Sequence, residues 1–156
     1  MMAIKVKTSK DFGLAKLAAR FDCGKLSLVA GVLKGSTNGE EGSKTPVAQY
    51  AYYNEYGTQT MPARPFMRNA VKAHGDEWIE AIAGYMQAGC SPKEALQNCK
   101  NLVRGDIINS IRNGSYKSLA PSTVRQKKRK GTAEPSTPLI DTGALIRSIN
   151  SEVRES

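Results

Sequence analysis

Residues 48–70 read AQYAYYNEYGTQTMPARPFMRNA, and this stretch decides how the middle of the chain folds. It holds four of the six tyrosines, then a corner at Gly57 and Thr58, and then Pro62 and Pro65. Glycine permits a sharp turn and proline fixes a backbone angle, so the combination sets the chain direction without a large surrounding core. The stretch has no catalytic nucleophile, metal-ligand cluster or phosphate-binding loop. It therefore predicts a rigid docking surface.

A helix is predicted on each side of this corner. Pro46 suits the first turn of a helix over Val47–Tyr56, and after an extended Pro62–Pro65 a longer helix begins at Phe66 and stops near Gly89. Apolar residues at helical spacing indicate the inner face of the longer helix. The residues expected on that face are Val71, Trp78, Ile79, Ile82, Ala83 and Met86.

The next helix is marked by its start signal. Ser91 and Glu94 have the spacing of a capping box, with Pro92 at the first helical position, and the helix extends to about Gly114. Its inward residues are expected to be Leu96, Cys99, Val103, Ile107 and Ile111.

The chain before the corner predicts a helix and a strand. Ser9–Phe21 carries one apolar stripe and ends at Gly24, while Leu26–Leu33 is apolar on both faces, as is typical of a strand at the centre of a small sheet. Gly35–Thr45 is rich in Gly and Ser and predicts a loop. The stripe consists of Leu14, Leu17, Ala18 and Phe21.

The chain after Gly114 is polar and basic before it returns to the core. One or two helical turns are expected within Ser122–Arg129, a short helix over Gly143–Ile149, and a closing edge strand in which Ile149, Ser151 and Val153 alternate. A connector as long as residues 115–138 is usually functional or disordered.

These elements predict an α+β fold, in which a small, mostly antiparallel sheet packs against several helices and a long basic loop follows. The 156 residues are expected to form a single domain over 1–156, with flexible loops at about 35–45 and 115–138. No apolar run approaches the roughly 20 residues that cross a bilayer, and Met1–Lys10 lacks the apolar part of a signal peptide, so we expect a cytosolic protein without membrane contact.

The cysteines and the single histidine predict no cofactor or metal site. Cys23, Cys90 and Cys99 contain no C-x-x-C pair, and with only His74 beside them no zinc site of ordinary spacing can be written. We expect reduced cysteines that behave as small apolar side chains. A general-base role for His74 would need a nearby nucleophile, and a solvated helix position explains it better.

The net charge of +9 is concentrated between residues 112 and 130, where no acidic residue occurs. Such a cluster suits an acidic protein face, an anionic membrane surface or a nucleic-acid backbone, although it is also typical of a solvated loop. No zinc finger, basic zipper or aromatic RNA-binding signature is present. The residues expected to face a partner or DNA are Lys117, Arg125, Lys127, Lys128, Arg129 and Lys130.

An Asp-Thr-Gly motif at Asp141–Gly143 follows two apolar residues, as in aspartic proteases. A single motif requires a symmetric dimer and several more strands after it, whereas the residues after Gly143 have a helical pattern. We therefore expect Asp141 or Thr142 to cap the short helix, and we expect no catalytic residues in the chain.

The tyrosines of the corner are the stronger functional signal. On a helix, Tyr50, Tyr52, Tyr53 and Tyr56 point in several directions, so some are exposed or at an interface, or else half-buried against their own sheet. Both interpretations fit the pattern.

Several motifs then occur in order along the chain. They are YAYYNEYGT at 50–58, PARPFMR at 62–68, LAPST at 119–123, and PLIDTGAL at 138–145 followed by Ser148-Ile149. From residue 47 onward this order resembles the tail-completion, or head–tail joining, neck proteins of tailed bacteriophages. In that family a helix ends in a Glu-aromatic-Gly-Thr corner, and an Ala-Arg-Pro-Phe brace leads into a long helix. The PLIDTGAL ending is similar to the virion-morphogenesis proteins of Mu-like phages.

The resemblance implies a structural virion protein that forms a ring, expected to be a hexamer, at the head-proximal end of the tail. Its partners would be further copies of itself, head-completion or connector proteins, and tail-terminator or tail-tube proteins. It would lie in the virion neck after assembly in the host cytoplasm. The alternative is a basic accessory protein that contacts the DNA backbone without sequence specificity. The residues expected at the protein interface are Tyr50, Tyr53, Glu55, Tyr56, Arg64, Phe66 and Arg68.

Overall fold

The computed structural model describes residues 24–33 and 46–155, and within them the fold is α+β. Strand β1 covers Leu26–Val32 and pairs antiparallel with the last strand, β2, over Ile149–Glu155. Leu26 lies opposite Glu155, and Val32 lies opposite Ile149. Both predicted strands are confirmed, but the predicted central position of the first strand is not, because among the described residues the sheet consists of β1 and β2 alone. The predicted helix over residues 9–21 and the loop over 35–45 lie outside the described residues.

Both helices that flank the corner are confirmed. Helix α1 covers Val47–Tyr56, directly after Pro46, and helix α2 covers Phe66–Gln87. Residues 62–65 between them form neither helix nor strand, because each proline disfavours helical backbone in the residue before it. The predicted extended conformation is wrong at Pro65, which has a ψ of 71° and lies in a tight turn closed by a hydrogen bond from the Phe66 N–H to the Arg64 carbonyl oxygen at 2.8 Å. The chain therefore leaves α1 at Gly57 and enters α2 at a fixed direction.

Helix α3 covers Pro92–Asn113 and begins with the predicted capping box. The Ser91 Oγ accepts a hydrogen bond from the Glu94 N–H at 3.3 Å, and the Glu94 carboxylate accepts one from the Ser91 N–H at 2.8 Å. The buried residues of this helix are Ala95, Cys99, Val103, Ile107 and Ile111. Burial raises the pKa of the Cys99 thiol, which keeps it protonated as an apolar side chain.

The chain then forms helix α4 over Pro121–Arg129 and helix α5 over Ala144–Ser148. The basic stretch thus contains a helix slightly longer than the one or two turns expected. The predicted cap of the last helix is wrong. Gly143, with a φ of 79°, precedes α5, and no side chain caps that helix.

The core lies where α1, α2 and α3 meet the sheet. Phe66, Ile111 and Ile149 are its largest fully buried apolar side chains. Residues far apart in the chain therefore share one core. Among the described residues, the buried apolar side chains of this cluster include Val47, Ala51, Phe66, Ala70, Val103, Ile107, Ile111, Leu139, Leu145 and Ile149.

The predicted inner face of α2 is only partly correct. Trp78 packs against the core and donates a hydrogen bond from Nε1 to Asp106 Oδ2 at 2.7 Å. By contrast, Val71 and Ile79 are 56% and 66% exposed, and Ala83 is also exposed. The apolar stripe of α2 is wider than the surface with which α3 covers it.

Candidate protein-interface surface

Glu55 caps helix α2 from a distance. Its Oε2 accepts a hydrogen bond from the Met67 N–H at 3.0 Å, and its Oε1 accepts one from the Arg68 N–H at 3.1 Å. The residue before α2 is Pro65, which provides no side-chain cap. Because the first N–H groups of a helix lack intrahelical partners and carry partial positive charge, a carboxylate at this position is stabilising. Glu55 thus fixes the angle between α1 and α2.

Arg68 completes this contact on the outer side. Its Nε donates to Glu55 Oε1 at 3.0 Å, and its Nη2 donates to the Glu55 carbonyl oxygen at 2.5 Å. The guanidinium carbon lies 4.9 Å from the centre of the Tyr56 ring, within the range of a cation–π contact. The side chain remains 56% exposed, so Arg68 joins the buried carboxylate to the surface.

Gly57 makes the corner sterically possible. Its φ is +78°, and a Cβ at this position would lie 2.8 Å from the Ala63 nitrogen. The loop that follows is closed by a backbone hydrogen bond from Thr58 N–H to the Met61 oxygen at 2.9 Å, and the Thr58 Oγ1 accepts from Met61 N–H at 3.1 Å. Glycine is required here both for its conformation and for the close approach of the backbone.

Three predicted interface residues are buried within the chain, and this corrects the expectation that they contact a partner directly. Glu55, Arg64 and Phe66 are 5%, 5% and 0% exposed. Arg64 donates from Nε and Nη2 to the Lys117 carbonyl oxygen, both at 3.4 Å, and Phe66 lies in the core. These residues support the backbone under the exposed surface and do not form part of that surface themselves.

The tyrosines of α1 are exposed. This favours the interpretation in which they point outward over the one in which they are half-buried against the sheet. Tyr52 and Tyr56 are the most exposed, at 60% and 58%, and their ring centres lie 4.8 Å apart. Tyr50 and Tyr53 are less exposed, and the Tyr53 hydroxyl accepts a hydrogen bond from Gln49 Nε2 at 2.6 Å. Tyr52 was missing from the predicted interface, although its spacing of four residues from Tyr56 could have identified it.

An open groove of about 650 Å³ lies beside this aromatic surface. It runs between residues 29–33, at the end of β1 and just after it, the Tyr52–Tyr56 side of α1 and the start of α2 up to Lys72. Most of its lining is apolar, while Arg68 and Lys72 place positive charge at its edge. We call the exposed side chains of Tyr52, Tyr56 and Arg68 the aromatic surface. It is continuous with the groove, since all three residues also line the groove.

The basic segment, residues 117–130, presents most of its cations outward. Lys117, Arg125, Lys128 and Arg129 are exposed, and Lys130 lies 3.6 Å from Asp141. The prediction of an outward position is wrong for Lys127.

Lys127 is 8% exposed and its ammonium group points into the protein. Its Nζ donates to the carbonyl oxygens of Thr137, at 2.8 Å, and Ile140. Burial lowers the pKa of this lysine, an effect that the nearby Asp141 opposes. Lys127 therefore ties α4 to the chain that returns to the core.

The Asp-Thr-Gly motif has a structural role in this arrangement. Asp141 accepts a hydrogen bond from Thr132 Oγ1 at 2.8 Å, and its other oxygen faces Lys130. His74, also considered as a base, contacts Glu77 at 2.9 Å on the surface of α2, and that hydrogen bond raises the pKa of the histidine.

Within residues 24–33 and 46–155, no group of three or more His, Cys, Asp or Glu side chains is placed to hold a metal ion. None of the helices in that same part of the chain combines the length and the apolar character needed to span a bilayer. Comparisons with family models, curated proteins and solved structures find no match to this chain.

Proposed function

We propose that this chain is a structural virion protein of a tailed phage, which forms a neck or tail-completion ring that joins the tail to the head. The observation that supports this most strongly is that different side chains of the corner segment, residues 48–70, hold its backbone in place and form its exposed surface. Glu55, Gly57 and Arg64 hold the backbone rigid, and they leave Tyr52 and Tyr56 exposed beside an apolar groove.

A ring needs one patch that meets a different patch on the next copy. Tyrosine suits such a contact because its ring buries apolar area at little entropic cost while its hydroxyl remains hydrogen-bonded. In our proposal the aromatic surface of α1, with Arg68 beside it, is one of these patches. The ring, expected to be a hexamer, would face a connector or head-completion protein on one side and a tail-terminator or tail-tube protein on the other.

The test is complementation of a phage that lacks the gene for this chain. Without the protein, electron micrographs should show full heads and separate tails. Wild-type protein should restore joined virions, whereas Tyr52→Ala combined with Tyr56→Ala should fold normally and fail to restore them. Tyr85→Ala removes another exposed tyrosine, 40% exposed and outside the corner, and serves as the matched control.

Two results would contradict the proposal. One is infectious, fully joined virions in the absence of the chain. The other is equal complementation by the double tyrosine variant and the Tyr85→Ala control. Arg64 is unsuitable for this test, because its burial means that a charge reversal would disturb the fold itself.

A second candidate function is non-specific contact with the DNA backbone. It is favoured by Arg125, Lys128 and Arg129, which are exposed and spaced so that they share one face of α4. If this face binds duplex DNA, the affinity for DNA should fall steeply as the salt concentration rises. Replacing the three residues by Gln should reduce the magnitude of the slope of the logarithm of the binding constant against the logarithm of the salt concentration by roughly 2 to 3. The control removes three exposed positive charges outside the basic cluster, at Lys25, Lys72 and Arg154.

A further inference from the structure

The two edges of the sheet differ in how their backbone groups are used. On β2, the Ile149 N–H donates to the Ile146 carbonyl oxygen, and the Ile149 carbonyl oxygen accepts from Arg104 Nε at 2.8 Å. The Ser151 N–H donates to Asn150 Oδ1, also at 2.8 Å. These backbone groups point away from β1 and are already hydrogen-bonded within the chain. The outer edge of β2 is therefore protected against an incoming strand.

The strand register then shows which backbone groups β1 turns outward. Ile149 lies opposite Val32, and Ser151 lies opposite Ala30. In an antiparallel pair, opposite residues either exchange both of their backbone hydrogen bonds or turn these groups away from each other. Since Ile149 and Ser151 turn theirs away, the same holds for Val32 and Ala30. Leu28 follows at the next step of the alternation. Within the described part of the chain, no third strand pairs with this edge of β1.

The outer edge of β1 borders the groove. Every residue from 29 to 33 lines it. Because the side chains of a strand alternate between the two faces of the sheet, a groove that touches consecutive residues runs along the edge of the strand. Charged side chains commonly protect edge strands, but none occurs between Leu26 and Leu33. Within the described chain, neither backbone pairing nor charge therefore protects this edge.

The opposite wall of the groove indicates which segment would fit there. Ala48, Met67 and Val71 give this wall an apolar surface. Arg68 and Lys72 are exposed and place positive charge at its rim. In an added strand, every second side chain would face the apolar wall. Acidic side chains in the same strand would meet the two cations.

We propose that the outer edge of β1 binds an extended segment of a different protein, which adds to the sheet as a third strand. The segment alternates apolar residues with polar and acidic ones, and its backbone pairs with Leu28, Ala30 and Val32. A second copy fits less well, because the chain carries a net charge of +9 and two β1 edges paired about a two-fold axis would bring Arg68 and Lys72 of both copies together.

This proposal is compatible with the proposed function and does not depend on it. The groove stays open in the isolated chain. The added segment lies against β1, so the tyrosine rings of the aromatic surface remain available for the contact between copies.

The test is amide hydrogen exchange of the full chain, followed by NMR. The probe is a short peptide, blocked at both ends, in which valine alternates with glutamate and threonine. Without the peptide, the Ala30 and Val32 amides should exchange faster than those of Val29 and Gly31, which bond to β2. Millimolar peptide should slow exchange at Ala30 and Val32 at least roughly tenfold and leave Val29 and Gly31 unchanged. The same peptide with lysine in place of glutamate should bind at least roughly fivefold more weakly.

A matched pair of variants locates the peptide in the groove. Ala48→Lys places a long charged side chain in the groove and should abolish the added protection. Gln49→Lys places the same side chain at the next position of α1, outside the groove lining, and should retain that protection. Both positions are exposed, so both variants should fold, which circular dichroism checks.

Four outcomes would overturn the proposal. The first is slow exchange of Ala30 and Val32 in the dilute chain without peptide, which would show that the chain itself already covers the edge. The second is no binding of the glutamate peptide at millimolar concentration, or equal binding of the lysine peptide. The third is an equal effect of Ala48→Lys and Gln49→Lys. The fourth is protection that rises with protein concentration together with a dimer in mass photometry, which would assign the edge to a second copy.

Discussion

The corner segment and the basic segment were both expected to present charges to a partner, yet the corner buries Glu55 and Arg64 and the basic segment buries Lys127. In the corner, the Glu55 carboxylate accepts hydrogen bonds from N–H groups at the start of α2. In the basic segment, the Lys127 ammonium donates to the carbonyl oxygens of Thr137 and Ile140. The comparison shows that the sign of each buried charge follows the polarity of the backbone groups that it satisfies.

Glu55 and Lys127 differ in their counter-ions. Glu55 has the Arg68 guanidinium as a direct ionic partner at 3.0 Å. Among the described residues, the direct partners of the Lys127 ammonium are carbonyl oxygens, since Asp141 pairs with Lys130, and burial lowers the pKa of this lysine. The two regions also touch, because Arg64 reaches the Lys117 carbonyl and its charge further lowers the pKa of Lys127. Removing each buried charge in turn would show which region contributes more to the fold.

The largest effect is expected at Glu55. Glu55→Ala leaves the Met67 and Arg68 N–H groups and the Arg68 Nε without their carboxylate acceptor, so the free energy of unfolding should fall by about 3 kcal/mol. Urea denaturation measures this value. Glu80→Ala removes an exposed carboxylate from α2 and should change stability by less than about 0.5 kcal/mol. Equal effects of the two substitutions would refute the capping role.

Gly57→Ala should follow, with a loss of about 2 to 3 kcal/mol, because it combines a left-handed backbone with a steric clash. Gly131→Ala is the control, since Gly131 also has a positive φ, 74°, but no atom lies within 4 Å of its Cβ position. Its loss should be about 1 kcal/mol. Thermal and urea unfolding of both variants would separate the clash from the conformational cost, and a loss no larger at Gly57 would contradict the steric account.

Lys127→Met should cost about 2 kcal/mol, because the carbonyl oxygens of Thr137 and Ile140 lose a buried donor. Lys128→Met, on the exposed side of the same helix, should stay within about 0.5 kcal/mol of wild type. The free energies of unfolding of the two variants, measured by urea denaturation, compare the contribution of a buried lysine with that of an exposed one. If Lys127→Met proves neutral or stabilising, the ammonium group is not needed to hold the returning chain.

The smallest effect is expected at the surface pair of Lys93 and Glu155. The hydrogen bond with Lys93 lowers the pKa of Glu155 from its ordinary 4.5, so the contribution to stability is present above that pH. It is lost as the pH falls through the lowered pKa. The small difference in Tm between wild type and Glu155→Gln should therefore exist near neutral pH and vanish in acid. A difference that grows in acid would contradict this sign.

Local signals in the sequence were sufficient for most elements. The capping box at Ser91 and the proline at 46 gave the starts of α3 and α1, because these signals depend only on neighbouring residues. The alternation after Ile149 likewise gave the closing strand. These patterns can be read from the sequence because the residues that interact lie within a few positions of one another.

The roles of Glu55, Lys127 and Asp141 could not be obtained in this way. The acceptor role of Glu55 depends on backbone 12 residues away, and Lys127 bonds to carbonyls 10 and 13 residues away. Asp141 was expected to cap α5, yet Thr132 and Lys130 engage its carboxylate instead. In each case a tertiary partner outcompetes the local preference, and periodicity does not identify that partner.

The pairing of Leu26 with Glu155 has a consequence for biosynthesis. Because β1 emerges early and β2 is at the far end of the described chain, the sheet cannot close until nearly all of these residues have left the ribosome. The neighbouring helices α2 and α3 can associate before then, since their contacts are local in sequence. In the nascent protein α2 and α3 should therefore form a helical hairpin, with β1 still unpaired with β2, until β2 has left the ribosome.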